Sequence, residues 1–387
     1  MKAANLRNHI IREEWVLVLL TIILFFPLHL WQIAFHDITD YATYNELVRN
    51  ILSNPKSWSV VTNLPGWPFM AATLAKSLSI RVWKAAFFTQ MGMQTLLALI
   101  LFYFLKRDVD YGKPWLNIAL PLAIMLAAPI FLIAPVDRLL YFGYIGINSS
   151  HNPTIIALKP FAIFIFYITA SNLTKKNQPF VLGVITAGAV IFSTLIKPSY
   201  IICLLPAAGI YSIIQIARHR MIDLRSLICG IALPAVLVLL YQFLATYGSD
   251  DVSIIFSPLT AMRNSSDWLL VKFFLSVWFP LLASIFYLKE LRTSTTMLLA
   301  WFTFAFGTLY SYLLAEGGWR IFHGNFVWSG EITNFVLFTA ATLFFFQRRG
   351  QQKPPMKWKG ILWGGFLPHI LCGIIYCAYC ILNNRYF

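Results

Sequence analysis

Charge is what this chain has least of: 12% of its 387 residues are Asp, Glu, Lys or Arg, against about 25% in a soluble domain. Acids are the scarcer sign, 15 against 30 basic residues. So little charge excludes a water-soluble fold, because the apolar surface left over would drive association. Internal repeats, low-complexity stretches and Pro/Gly linkers are also missing, so a single integral membrane domain is expected over residues 1–387. Cysteine is sparse. Cys203, Cys229, Cys372, Cys377 and Cys380 all fall in or beside apolar runs, where the residue serves as a small apolar filler. Cys377-x-x-Cys380 has redox spacing but no βαβ context around it. The first apolar run, Trp15 to Phe35, has no small-x-small cleavage site and reads as a retained helix rather than a signal peptide.

What remains is apolar. Hydrophobic residues make up 59% of the chain and the mean hydropathy is +0.69. The bilayer must therefore act as solvent, and only helices or closed barrels satisfy every backbone group there. The apolar runs are near 20 residues long without dyad alternation, which selects helices. An all-α, polytopic helix bundle follows, with spans expected at 15–35, 82–105, 115–134, 155–171, 180–196, 199–217, 227–246, 268–288, 296–314, 332–346 and 361–382. That is about ten or eleven crossings.

The net charge of +15 points either to nucleic acid or to topology signals. Membrane proteins gather Lys and Arg in cytoplasmic loops, so no nucleic-acid partner is expected. With the N-terminus cytoplasmic, Lys106, Arg107, Lys175, Arg218, Arg220, Arg225, Arg348 and Arg349 all lie inside. Nine of the fifteen acids then lie outside: Asp37, Asp40, Glu46, Asp137, Asp250, Asp251, Asp267, Glu316 and Glu331. Acids contribute little to topology, so a working site on the outer face of an inner or plasma membrane is one cause. Four outer loops exceed what a reversal needs: 36–67, 136–152, 246–267 and 316–331.

Asp37 and Asp40 lie one helical turn apart in the first of these. Acids there favour a helix N-terminus; paired carboxylates at a membrane boundary also serve as a general base or hold a divalent cation. In the last outer loop Arg320, His323, Asn325 and Trp328 join a phosphate fork to sugar-binding and stacking groups. An interfacial aromatic belt with a snorkelling Arg is the bland alternative. His151 and Asn152 suit hydroxyls or phosphate, or Asn152 simply caps a helix begun by Pro153. Lys197 sits between two apolar runs, where a charge is costly and is usually paired or functional. Arg138 is a weaker phosphate candidate, since it stands beside Asp137 as a local ion pair would.

Asp37 and Asp40, then Tyr41 and Tyr44, then Leu64-Pro65-Gly66-Trp67-Pro68-Phe69 follow the first span in order. In this order the chain resembles the type-C superfamily of polyprenyl-phosphate-sugar-dependent membrane glycosyltransferases over residues 15–105. It departs in having Asn63-Leu64-Pro65-Gly66 where many members have a His-Pro-Pro turn, and in lacking a large C-terminal outer domain. The resemblance implies Asp37 or Asp40 as the base that deprotonates an acceptor hydroxyl, with Tyr44 close by. It implies a lipid-linked sugar donor, a glycolipid or glycan acceptor, and membrane lipids as partners. The leaving lipid phosphate calls for cations or hydrogen-bond donors. A surface-polysaccharide polymerase or ligase, and a flippase for a lipid-linked sugar, are the alternatives.

Overall fold

Long apolar runs that must satisfy their own backbone become helices, and helices make up most of the computed structural model. It describes residues 2–34, 40–54, 66–109, 113–140, 142–175, 177–247, 253–263, 266–347 and 356–383. The chain begins with α1 (Lys2–Ala34), α2 (Asp40–Ser53), α3 (Gly66–Leu78), α4 (Val82–Asp108) and α5 (Pro114–Leu126). A short α6 (Ala134–Asp137) precedes α7 (Pro153–Asn172), α8 (Phe180–Ile196) and α9 (Ile201–Ala217). Next come α10 (Leu224–Leu227), a π-helical turn (Ile228–Ala232) and α11 (Leu233–Tyr247). Strand β1 (Ile254–Phe256) leads to α12 (Thr260–Arg263), α13 (Leu269–Ser276), α14 (Trp278–Phe286), α15 (Leu288–Leu291) and α16 (Thr295–Leu313). Strand β2 (Leu314–Glu316), α17 (Val327–Gln347), α18 (Met356–Ile361) and α19 (Leu367–Asn383) complete the described chain.

Among the described residues, seven helices are long and apolar enough to cross a membrane. The pair α13 and α14 is an eighth candidate, bent by 63° at Val277. Three shorter apolar helices cover Trp115–Leu126, Phe180–Ile196 and Ile201–Ala217, where the sequence predicts further spans. The span expected at 115–134 stops at Leu126 because Pro129 forces Ala128 out of the helical region. The chain then runs extended beside α19, with the Ala128 N–H donating to the His369 carbonyl at 3.0 Å. Non-helical backbone survives at this depth only inside protein. Here side chains complete its bonding: Asn148 donates to the carbonyls of Ile124 and Ala127, each at 2.8 Å, and Asn334 to that of Ile145 at 2.9 Å.

Helix α17 is the axis of the bundle, buried on all sides against α16, α14 and α7. Its sequence alternates aromatics with Thr, and the hydroxyls of Thr333, Thr339 and Thr342 return to carbonyls four residues back at 2.7–2.9 Å. That pattern hides polar atoms inside the helix. Against α16 the approach is close: a Cβ on Gly307 would meet the Ser329 carbonyl oxygen at 2.6 Å. Small residues at such contacts let backbones pack by dispersion where lipid removes the hydrophobic drive.

Candidate functional site

One end of the bundle collects residues from elements far apart in sequence. Asn152 caps α7, its Oδ1 accepting from the N–H groups of Thr154 (3.0 Å) and Ile155 (3.2 Å), with Pro153 at the first helical position. The same side chain points its amide outward and donates to Oδ2 of Asp40 at 2.6 Å. The capping reading of Asn152 therefore holds, and its amide is turned to Asp40. Asp40 is the first residue of α2, where the helix dipole also favours its charge. Tyr44, one turn on, contacts Thr154 and packs edge-on against buried Trp67. Burial, with Asp40 adding to it, pushes the Tyr44 phenol up to about 12, against the Thr154 hydrogen bond. It is a neutral hydroxyl beside the carboxylate. Asp37 lies outside the described residues.

Asp40 opens onto a cavity of about 280 Å³ that is also lined by His151, Phe322, His323, Trp328 and Glu331. His151 stacks obliquely on Trp328, ring centroids 5.3 Å apart. Burial holds His151 below its usual value and Lys197 adds to this, against an opposing pull from Asp40. At neutral pH its ring is an uncharged donor and acceptor.

A second cavity, of about 390 Å³, adjoins the first. Lys197, Arg320, Asn325, Glu316 and Gln242 supply its polar wall, and Ile202, Leu239 and Phe243 supply an apolar one. Glu316 organises the polar side, accepting from Asn325 Nδ2 (2.6 Å) and the Tyr247 hydroxyl (3.0 Å), with Arg320 Nη1 4.0 Å away. The antiparallel pairing of β1 with β2 sets Ile254 opposite Glu316, which brings the 246–267 loop to the 316–331 loop. Lys197, which lines the second cavity, reaches Trp328 of the first. Its Nζ lies 4.8 Å from the Trp328 ring centre and donates to Thr154 Oγ1 at 3.3 Å.

The structure thus brings together Asp40, Tyr44, His151, Asn152, Lys197, Arg320, His323, Asn325 and Trp328. It divides the 316–331 loop, giving His323 and Trp328 to the Asp40 cavity and Arg320 and Asn325 to the other. Arg138 is the exception. It ends α6 with φ +62° and lines neither cavity. The expected Asp137–Arg138 pair is replaced: Asp137 bonds Lys272, whose side chain is wholly buried and also donates to the Phe142 carbonyl at 2.7 Å. Leaving that ammonium uncompensated costs about 3–5 kcal/mol. Asp137→Ala is therefore expected to lower the unfolding midpoint in detergent markedly, and Arg138→Ala to leave it unchanged.

Sequence reasoning also passed over Glu331, which faces the Asp40 cavity and accepts a hydrogen bond from Ser149. Behind it Lys159, in α7, donates to Asn148 Oδ1 at 2.7 Å and lies over the Phe335 ring. The signal was present, since an ionisable residue inside an apolar helix is a site candidate by default. Among the described residues no group of three or more His, Cys, Asp or Glu side chains is arranged to hold a metal ion. Comparison with family models, with curated proteins and with solved structures finds no match to this chain.

Proposed function

We propose that this protein is an integral membrane glycosyltransferase that moves a sugar from a polyprenyl-phosphate donor to a glycolipid or glycan acceptor. The observation that carries the reading is the junction of the two cavities. A carboxylate fixed by Asn152 faces one, cations and an apolar wall line the other, and Lys197 of the second reaches Trp328 of the first. An acceptor hydroxyl in the first cavity loses its proton to Asp40 and attacks the anomeric carbon. The bond from that carbon to the lipid phosphate breaks, and Lys197 and Arg320 meet the charge that develops on the phosphate. The lipid chain leaves along Ile202, Leu239 and Phe243. By the distribution of Lys and Arg, this end is the outer face and the N-terminus is cytoplasmic, with ten or eleven crossings when the three shorter helices are counted.

The test is product analysis in cells with and without the gene. A glycan longer by one sugar only when the gene is present supports the reading. A ladder of polymer lengths would replace it with a polymerase, and donor binding without turnover with a flippase.

Lys197 adds a pH dependence. Burial lowers it to about 8, with Asp40 and Glu331 opposing. Its cation is therefore complete below that value and lost above it. The KM for donor is expected to climb between about pH 7 and about pH 9, and to stay level in Lys197→Arg, whose guanidinium keeps its charge. The same slope in both proteins would remove Lys197 from donor binding.

A further inference from the structure

Helix α8 joins the donor cavity to a second feature. Lys197 follows its C-terminal end, while Phe180 at its N-terminal end lines a cavity of about 520 Å³. The two are separated by the length of the helix, about 25 Å. This cavity lies between α8 and the span that runs from α10 through α11. Its base is a close helix contact, where a Cβ on Gly230 would sit 3.3 Å from the Gly183 carbonyl oxygen. Its apolar wall belongs to side chains turned outward from the bundle, Phe180 at 70% and Val184 at 54% exposure. The Arg225 guanidinium is held over the Phe180 ring at 5.6 Å.

The polar rim holds one cation, Arg225, and one carboxylate, Asp223. Asp223 lines the cavity, but its oxygens already accept from the N–H groups of Gln178 (2.6 Å) and Ser226 (3.0 Å). The Asp223 N–H donates to the Asn172 carbonyl at 2.8 Å, fastening the turn after α7 to the turn after α9. Lys175, Arg218 and Arg220 are exposed in those turns.

We propose that this cavity binds an anionic phospholipid, its phosphate on Arg225 and an acyl chain along Val184 and Ala187. Charge selects the occupant: the one carboxylate of the lining is held by backbone N–H groups. That leaves Arg225 in the lining, with Lys175, Arg218 and Arg220 exposed in the flanking turns, to favour an anion. The opening among outward-facing apolar side chains at a span end selects a lipid over a soluble anion. Basic pockets between membrane helices recognise headgroups in this way. The inference does not rest on the transfer reading.

Cys229 supplies the probe, since it lines the cavity and is exposed, while Cys203 and Cys380 are buried. Maleimide labelling of Cys229, resolved by peptide mass spectrometry, is measured on the full chain in nanodiscs. Phosphatidylglycerol is expected to slow it about tenfold relative to phosphatidylcholine alone, the effect of one charge-assisted contact. Arg225→Gln is expected to label at one fast rate in both lipids. Native mass spectrometry of the wild type, which needs no variant, is expected to retain one phosphatidylglycerol. Equal wild-type rates in the two lipids, protection that survives Arg225→Gln, or no retained lipid would each overturn the proposal. So would protection by inorganic phosphate in lipid-free detergent, which would make this a soluble-anion site.

Discussion

Asp40→Asn is expected to lower sugar transfer by about 10³-fold, the middle of the range for a positioned base. The substitution keeps the size of the side chain and leaves an oxygen to accept from Asn152 Nδ2, so the junction of α2 with α7 stays closed. What disappears is the basic lone pair that takes the acceptor proton in the proposed reaction. Helix content and the detergent unfolding midpoint are expected to match the wild type, which separates chemistry from folding. Transfer at the wild-type rate would end the assignment of Asp40 as base and move attention to Glu331, the other carboxylate facing that cavity.

The largest effect on folding is expected at Gly373, in α19. A Cβ there would lie 1.5 Å from the Leu126 carbonyl oxygen and 3.2 Å from the Ala128 nitrogen. Both neighbours are backbone, so no rotamer change relieves the overlap. The extended stretch after α5 would have to move, taking with it the bonds between Ala128 and His369. Gly373→Val should cost at least about 3 kcal/mol, the upper end of ordinary overpacking. The readout is the monodisperse fraction after size-exclusion chromatography in detergent. Gly364→Ala is the control, since nothing lies within 4 Å of a Cβ at Gly364 and a wild-type yield is expected. A normal yield for Gly373→Val would mean that α19 and the 127–131 stretch are not packed as described.

Several features were legible because they depend on neighbours in sequence. The helical weave follows from apolar run length, and the cap at Asn152 from Asn preceding Pro. Loop residues were marked by chemistry that a belt or a turn does not need, and nine of the eleven named positions meet at one end of the bundle. Arg138 failed because adjacency suggested a pair with Asp137, whereas the ammonium of Lys272 arrives from 135 positions later in the chain and is buried against it.

The sequence alone determined that the bilayer is the solvent, since run length, low charge and hydropathy are local sums that no packing can reverse. It also determined which residue types were available for chemistry. Only the tertiary structure decided that Asp40 meets Asn152, that Arg320 and His323 part company into adjoining cavities, and that Glu331 faces Asp40's cavity. Those outcomes depend on how α2, α7 and α17 cross, and crossing is set by long-range packing of small residues and buried amides rather than by any local pattern.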